Sequence, residues 1–245
     1  MLAIIGGSGL SGLPGLDVTR REAVHTPYGA PSGPLTLGNF FGRSVMFLAR
    51  HGDGHRIAPH EVNYRANLWA MRERKANTIV SVASVGGISS DLKPGTIVVP
   101  NQIIDYTWGR KSTYFEGDAP VTHVDFTEPY TPELRAQLLA AAADCGETVR
   151  ARAVYATTQG PRLETAAEVD RLERDGADVV GMTGMPEAVL ARELGLAYAA
   201  IAIVVNFAAG RGDSRDGIKV ERIDDVLHHS MTRVLHIIQT LVASS

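Results

Sequence analysis

Short apolar runs alternate with amphipathic segments along this chain. The runs are rich in valine, isoleucine and alanine, and several are apolar at every position, which is typical of strands buried on both faces of a sheet. They predict seven strands, at residues 2–5, 44–49, 78–84, 96–99, 149–157, 178–181 and 198–205.

Helical patterns lie between and after these runs. One helix is predicted from Thr131 to Gly146 and another from Pro186 to Gly195, because proline favours the first turn of a helix and glycine its end. A third, from about Val220 to Val242, carries apolar residues at helical spacing. The alternation predicts an α/β fold: a single domain over residues 1–245 with a twisted mixed, largely parallel β-sheet flanked by helices.

One long segment has neither pattern. Residues 106–130 are rich in turn-forming and aromatic residues. Such a stretch inside an α/β chain predicts a long functional loop.

Composition narrows the classes of partner and location. The hydrophobic fraction of 44% and the charged fraction of 21% are those of a globular protein, and the net charge of -3 lacks the basic excess of a nucleic-acid binder. The single cysteine, Cys145, excludes an internal disulfide and a cysteine metal cluster. The N-terminus lacks the build of a signal peptide, and no uncharged run reaches the ~20 residues that span a bilayer. We therefore expect a cytoplasmic protein with no nucleic-acid or membrane partner.

The first predicted strand leads into a glycine-rich loop, GGSGLSG, at residues 6–12. Its glycines match the spacing of a dinucleotide-binding loop, but Leu13-Pro14-Gly15 follows where that loop requires a helix. The loop can instead direct backbone N–H groups and the Ser8 hydroxyl at an anion. A simple tight turn is the alternative.

The second predicted strand ends in ARHGDGHRIAPH, which contains three of the eight histidines. A metal site formed by His51, His55 and His60 is one interpretation, although glycines on both sides of Asp53 disfavour a helix that would align them. The other is that Arg50 and His51 face an oxyanion, because ligands of open parallel sheets bind at the carboxyl ends of strands. Solvated surface charge is the third.

Five segments together resemble the purine nucleoside phosphorylase and methylthioadenosine phosphorylase family. They occur in order over nearly the whole chain and read IIGGSGL, LARHG, PHEVNYRANLWAM, TQGPRLETAAE and DVVGMTGMPEAVLARELGLAYAAIAIVVN. The resemblance implies phosphorolysis, in which inorganic phosphate attacks the sugar C1′ of a purine nucleoside. It implies a nucleoside phosphorylase-like fold, no metal, no organic cofactor, and a homotrimer.

The resemblance also assigns roles to individual positions. It places Met182 against the sugar; the alternative for this residue is a thioether packed in the core. Glu187, two residues before Val189, can cap its helix. It places Asn206 and His51 among the catalytic residues, with the Asn206 amide donating to the leaving purine. The expected phosphate-binding residues are Ser8, Arg50, His51, Ser84 and Thr183.

Two positions bear on which base is cleaved. Glu164 matches a glutamate of 6-oxopurine enzymes, whose carboxylate accepts the N1–H of hypoxanthine or guanine, and Leu163 beside it is expected to contact substrate. Enzymes of this family that act on 6-aminopurines tend to have aspartate where this chain has Asn206. Facing a carboxylate with the bare N1 of adenine costs about 1 to 3 kcal/mol. The alternative for Glu164 is a carboxylate that interacts with a helix dipole.

Two apolar residues bear on which group the substrate carries at its 5′ carbon. Val220 and Ile223 replace the histidine of hydroxyl-preferring relatives and would bury a methylthio group, unless they simply face the core. His123 matches a residue that the family's trimers contribute from the adjacent subunit. Together these features favour S-methyl-5′-thioinosine as substrate. The alternatives are a methylthioadenosine phosphorylase, an inosine or guanosine phosphorylase, and a purine-binding sensor without turnover.

Overall fold

The strands belong to one sheet in the computed structural model, which describes residues 1–244. The apolar runs at residues 78–87 and 197–207 form its two longest strands, of ten and eleven residues. In chain order the strands are β1 (Leu2–Gly6), β2 (Asp17–Glu22), β3 (Leu35–Phe40), β4 (Arg43–Ala49), β5 (Thr78–Gly87), β6 (Ile97–Val98), β7 (Gln102–Asp105), β8 (Val149–Arg150), β9 (Val154–Thr157), β10 (Val179–Gly181) and β11 (Ala197–Phe207).

Helices cover both faces of this sheet. They are α1 (Tyr64–Glu73), α2 (Pro132–Asp144), α3 (Ala166–Arg174), α4 (Gly184–Glu193) and α5 (Ile223–Ala243). Helices α2 and α5 pack with Val80 and Ile203 on one face, and α1 and α4 pack with Ile79 on the other. This division follows from the two-residue period of a strand, which sends Ile79 and Val80 to opposite faces. Ile238 of α5 is fully buried, so truncating it to alanine is expected to cost about 2–5 kcal/mol.

The sheet is mixed and largely parallel, as the sequence predicts. Strand β1 pairs in parallel with β4 and β5, and β5 pairs in parallel with β11. The carboxyl ends of these four strands therefore meet at one edge. Strand β10 runs antiparallel to β5 and brings the start of α4 to that edge as well. The hairpin β2–β3 is antiparallel and lies on the outer side of β4.

Several elements differ from the sequence prediction. The predicted strand 149–157 is two strands, because β8 pairs with β6 whereas β9 pairs with β7 and β10. The last α-helix begins at Ile223, after a short 3₁₀ turn from Val220 to Arg222. Residues 106–130 contain no helix or strand, which confirms the predicted loop. The sequence analysis missed β2, β3, β7, α1 and α3.

Candidate active site

A cavity of about 440 Å³ lies at the edge where β1, β4, β5 and β11 end. The carboxyl ends of parallel strands are where ligands of open α/β sheets bind. Ten of the twelve residues predicted from the sequence line this cavity. They are Ser8, Arg50, His51, Ser84, Leu163, Glu164, Met182, Thr183, Asn206 and Ile223.

The glycine loop forms one wall of the cavity by close backbone approach. A Cβ on Gly7 would lie 2.6 Å from the Val82 carbonyl oxygen and 2.8 Å from Arg50 Nη1, so only glycine fits there. The strand β2 follows the loop, with turns and no helix between residues 7 and 16. A dinucleotide-binding loop needs a helix at this point. The loop therefore presents Ser8 to the cavity without the helix N-terminus that would hold a pyrophosphate.

Arg50 lies beneath this loop and is completely buried. Its Nε donates to Glu187 Oε2 at 2.7 Å, and its Nη2 donates to Glu187 Oε1 at 3.0 Å. Burial alone would lower the pKa of Arg50, but the neighbouring Glu187 carboxylate offsets burial and holds this pKa above its ordinary value. The sequence analysis gave Glu187 the alternative of a helix cap. The structure instead makes it the buried counter-ion of Arg50.

His51 is the second buried residue of this stretch and is 5% exposed. Its Nδ1 lies 2.8 Å from the carbonyl oxygen of Ile57, and a carbonyl only accepts, so Nδ1 carries a hydrogen. Burial, helped by the positive charge of Arg50, lowers the pKa of His51 to about 4. At neutral pH the ring is therefore uncharged, and Nε2 is a hydrogen-bond acceptor.

The wall of the cavity continues onto the segment between β10 and α4, where Met182 and Thr183 line it. Thr183 is 8% exposed, and its backbone N–H lies 3.4 Å from the Tyr155 hydroxyl oxygen. The backbone of Met182 is fixed by Arg110, whose Nη1 donates to the Met182 carbonyl at 2.8 Å and to the Met185 carbonyl at 2.6 Å. Arg110 belongs to the loop 106–130 and was not predicted. Arg110 therefore connects that loop to Met182, which lines the cavity.

Asn206 and Glu164 both line the cavity. The register of β11 shifts between Val204 and Asn206, so Val205 is an extra residue in a β-bulge. Bulges redirect side chains next to ligand sites. Asn206 Nδ2 donates to the Phe207 carbonyl at 2.6 Å, which uses one of its two hydrogens.

Glu164 is half-buried and directly precedes Thr165, the N-cap of α3. The Thr158 hydroxyl donates to Glu164 Oε1 at 2.6 Å. The capping interaction of α3 is made by Thr165 and Glu168. Glu164 makes no capping hydrogen bond, although its place directly before α3 is compatible with the alternative of a dipole interaction. Within residues 1–244, its Oε2 accepts no hydrogen bond.

Two predicted residues do not reach the cavity. Val220 is 60% exposed, and it lines neither this cavity nor the core, whereas Ile218 and Ile223 do line the cavity. The chain enters α5 through a 3₁₀ turn from Val220 to Arg222, and α5 itself begins at Ile223. His123 is exposed and is not among the lining residues of this single chain. His55 and Arg56, which were not assigned to the site, form part of its mouth.

A larger cavity of about 630 Å³ lies at the opposite edge of the sheet, between α2 and α5. It contains none of the predicted residues, so volume alone does not identify the site. Within residues 1–244, no three His, Cys, Asp or Glu side chains are grouped to hold a metal ion. No helix in that part of the chain is long and apolar enough to cross a membrane.

The sequence and the fold were compared with known proteins. The family model described as "Phosphorylase superfamily" matches residues 1–243. The chain belongs to the phosphorylase superfamily. A probable S-methyl-5′-thioinosine phosphorylase of Pseudomonas syringae pv. tomato is 51% identical over 99% of this chain and 98% of its own.

Two further relatives give the same family. A 6-oxopurine nucleoside phosphorylase of Pyrococcus furiosus is 47% identical over 85% of this chain and 80% of its own. Among solved structures, methylthioadenosine phosphorylase from Schistosoma mansoni in complex with adenine matches with a TM-score of 0.95 at 34% identity. That match covers 99% of this chain and 91% of the other. The α/β fold and the enzyme class expected from the sequence, a nucleoside phosphorylase, are therefore confirmed.

Proposed function

We propose that this protein cleaves S-methyl-5′-thioinosine with inorganic phosphate, giving hypoxanthine and 5-methylthioribose 1-phosphate. One observation carries the proposal: Asn206 and Glu164 line the same cavity as the anion-binding set Ser8, Arg50 and His51. The relatives named as S-methyl-5′-thioinosine phosphorylases support the same assignment.

The reaction exchanges one bond at C1′ for another. A phosphate oxygen forms a bond to C1′ as the bond from C1′ to N9 breaks, and the electron pair of that bond passes to the purine. Positive charge develops on the sugar and negative charge on the base. Phosphate is held by donors on Ser8, Arg50, Ser84 and Thr183, and the P–OH of the hydrogen phosphate ion donates to His51 Nε2, which is an acceptor at neutral pH. The bound phosphate stabilises the cationic sugar by proximity. Phosphate is the co-substrate in this scheme, and no metal or organic cofactor takes part.

Hydrogen bonds at the base end stabilise the leaving group and select it. The second hydrogen of Asn206 Nδ2 donates to N7 or O6 of the departing purine, where negative charge accumulates. Glu164 Oε2 accepts the N1–H that hypoxanthine carries and adenine lacks. A buried polar group without its partner is costly, so this pair favours 6-oxopurines.

The 5′ end is contacted by Ile218 and Ile223 in this proposal. An apolar wall accommodates a methylthio group and leaves the 5′-hydroxyl of inosine without a partner. The exposure of Val220, together with His55 and Arg56 at the mouth, favours a second candidate, a 6-oxopurine nucleoside phosphorylase that accepts inosine. Its Pyrococcus furiosus relative carries that name.

The proposal includes an assembly and a location. In a homotrimer, the exposed loop that carries His123 would contribute to the cavity of the adjacent subunit. The lone cysteine fits a reducing compartment, and we propose the cytoplasm.

A substrate comparison tests the proposal. The protein is incubated with phosphate and with methylthioinosine, methylthioadenosine or inosine, and the released base is measured by chromatography. We expect methylthioinosine to give the highest kcat/KM. Equal or faster release of adenine would refute the base assignment, and equal turnover of inosine would favour the second candidate. Binding of purine without phosphate-dependent release would identify a sensor instead.

A further inference from the structure

A buried carboxylate that the phosphorolysis scheme does not use lies behind the proposed phosphate site. The side chain of Glu187, near the start of α4, is 0% exposed. It accepts two hydrogen bonds from Arg50, one from the Ser81 hydroxyl at 2.7 Å and one from the Tyr198 hydroxyl at 2.8 Å. Donors from β5, from β11 and from the residue that directly follows β4 thus meet at one carboxylate.

These contacts account for most of the hydrogen-bonding capacity of Arg50. A guanidinium has five N–H donors. Two go to Glu187, one from Nη2 goes to the Ser81 hydroxyl at 2.7 Å, and one from Nη1 goes to the Val82 carbonyl at 3.0 Å. The donor that remains is on Nη1, the nitrogen that lies next to Gly7 at the wall of the cavity.

The geometry has a physical consequence for anion binding. Arginine is a long side chain whose charge is costly to bury without a counter-ion, so an unpaired guanidinium would leave this position. Its bidentate pairing with Glu187 fixes both its place and its plane. We propose that Glu187, itself held by Ser81 and Tyr198, is a positioning residue that fixes Arg50 so that one Nη1–H faces the bound phosphate. The identity of the anion as phosphate rests on the proposed function.

Two stacked tyrosines provide a matched test. Tyr198 and Tyr130 are both buried, and their rings stack with centroids 6.0 Å apart. The Tyr198 hydroxyl donates to Glu187, whereas the Tyr130 hydroxyl has no hydrogen-bond partner among residues 1–244. Tyr198→Phe and Tyr130→Phe therefore remove the same atom from neighbouring rings, and only the first loosens Glu187.

The expected result is a selective loss of phosphate affinity. Tyr198→Phe should raise the KM for phosphate about three- to tenfold, while the KM for the nucleoside changes less than about twofold. Tyr130→Phe should leave both unchanged. Ser81→Ala, which removes a contact to both Arg50 and Glu187, should act in the same direction as Tyr198→Phe and serves if that variant does not fold.

Two results would overturn the proposal. One is an unchanged phosphate KM in folded Tyr198→Phe and Ser81→Ala proteins. The other is a change that is not selective and would indicate a general loss of packing. Either Tyr130→Phe raises the KM for phosphate as much as Tyr198→Phe does, or the KM values for phosphate and nucleoside rise equally. Calorimetric titration of each protein with inorganic phosphate provides the same comparison without turnover. Absence of phosphorolysis in the wild-type protein would count against the proposed function, and the calorimetric comparison would still decide the role of Glu187.

Discussion

Replacing Glu164 by glutamine is expected to put a hydrogen-bond donor where the cavity now offers an acceptor to N1 of the base. The Thr158 hydroxyl donates to Glu164 Oε1 at 2.6 Å. In the variant, the amide oxygen is the only acceptor left on that side chain. We expect it to keep the Thr158 hydrogen, because the other acceptor of this hydroxyl, the Gly181 carbonyl, is more distant at 3.3 Å. The amide NH₂ then faces the base, where it opposes the N1–H of hypoxanthine and donates to the N1 of adenine.

The size of the effect follows from the burial of this side chain. Leaving a polar group unpaired at a fully buried position costs about 1–3 kcal/mol. Glu164 is half-buried, so we expect the lower part of that range, about 1–2 kcal/mol, or about 5- to 30-fold in rate. The ratio of kcat/KM for methylthioinosine to that for methylthioadenosine should fall by this factor.

The assay is release of hypoxanthine or adenine at a fixed phosphate concentration and at nucleoside concentrations below KM. Glu133→Gln is the matched control, because Glu133 is exposed in the first turn of α2 and does not line the cavity. A ratio within twofold of wild type, in a variant that is folded, would show that Glu164 does not read N1 of the base.

Four further predictions address other parts of the cavity. Asn206→Asp should move the preference toward 6-aminopurines, because a carboxylate accepts from the exocyclic amine; an unchanged ratio of base release would argue against this contact. Ile218→Ser should raise kcat/KM for inosine relative to methylthioinosine by about fivefold or more, and a constant ratio would remove Ile218 from the 5′ site. The His51 ring should titrate by NMR with a midpoint of about 4, and a midpoint near 6.5 would contradict its burial. Because an unfolded histidine takes up its proton at higher pH, His51 should also lower the free energy of unfolding as the pH falls from about 6.5 to 4.

The sequence predicted the central strands because they are continuous apolar runs. Strand β11 is apolar from Ala197 to Val205, and no other element has that pattern at that length. The edge strand β2, by contrast, has an exposed polar sequence, DVTRRE, and its existence depends on pairing with β3. Helix α3 did carry a readable signal, a capping box of Thr165 and Glu168.

The candidate site was predictable where strand ends and motifs coincide. Arg50 and His51 directly follow β4, so their place at the edge of the sheet follows from topology. The partner of Arg50 could not be predicted, because Glu187 is 137 residues away and its burial arises only when α4 packs on the sheet. Val220 was assigned to the 5′ site from its distance along the chain after Asn206. The 3₁₀ turn before α5 instead leaves this side chain exposed, which the sequence spacing did not predict.

Under the proposed function, the extra residue at Val205 makes recognition of the base depend on backbone register as well as on side-chain chemistry. Side chains of a strand alternate between faces, so loss of one residue there would turn Asn206 toward the opposite layer of helices. A single-codon deletion at Val205 could thus abolish selectivity while Asn206 and Glu164 are still encoded. Substitution scans of this protein would not detect that vulnerability, whereas a deletion series through the end of β11 would.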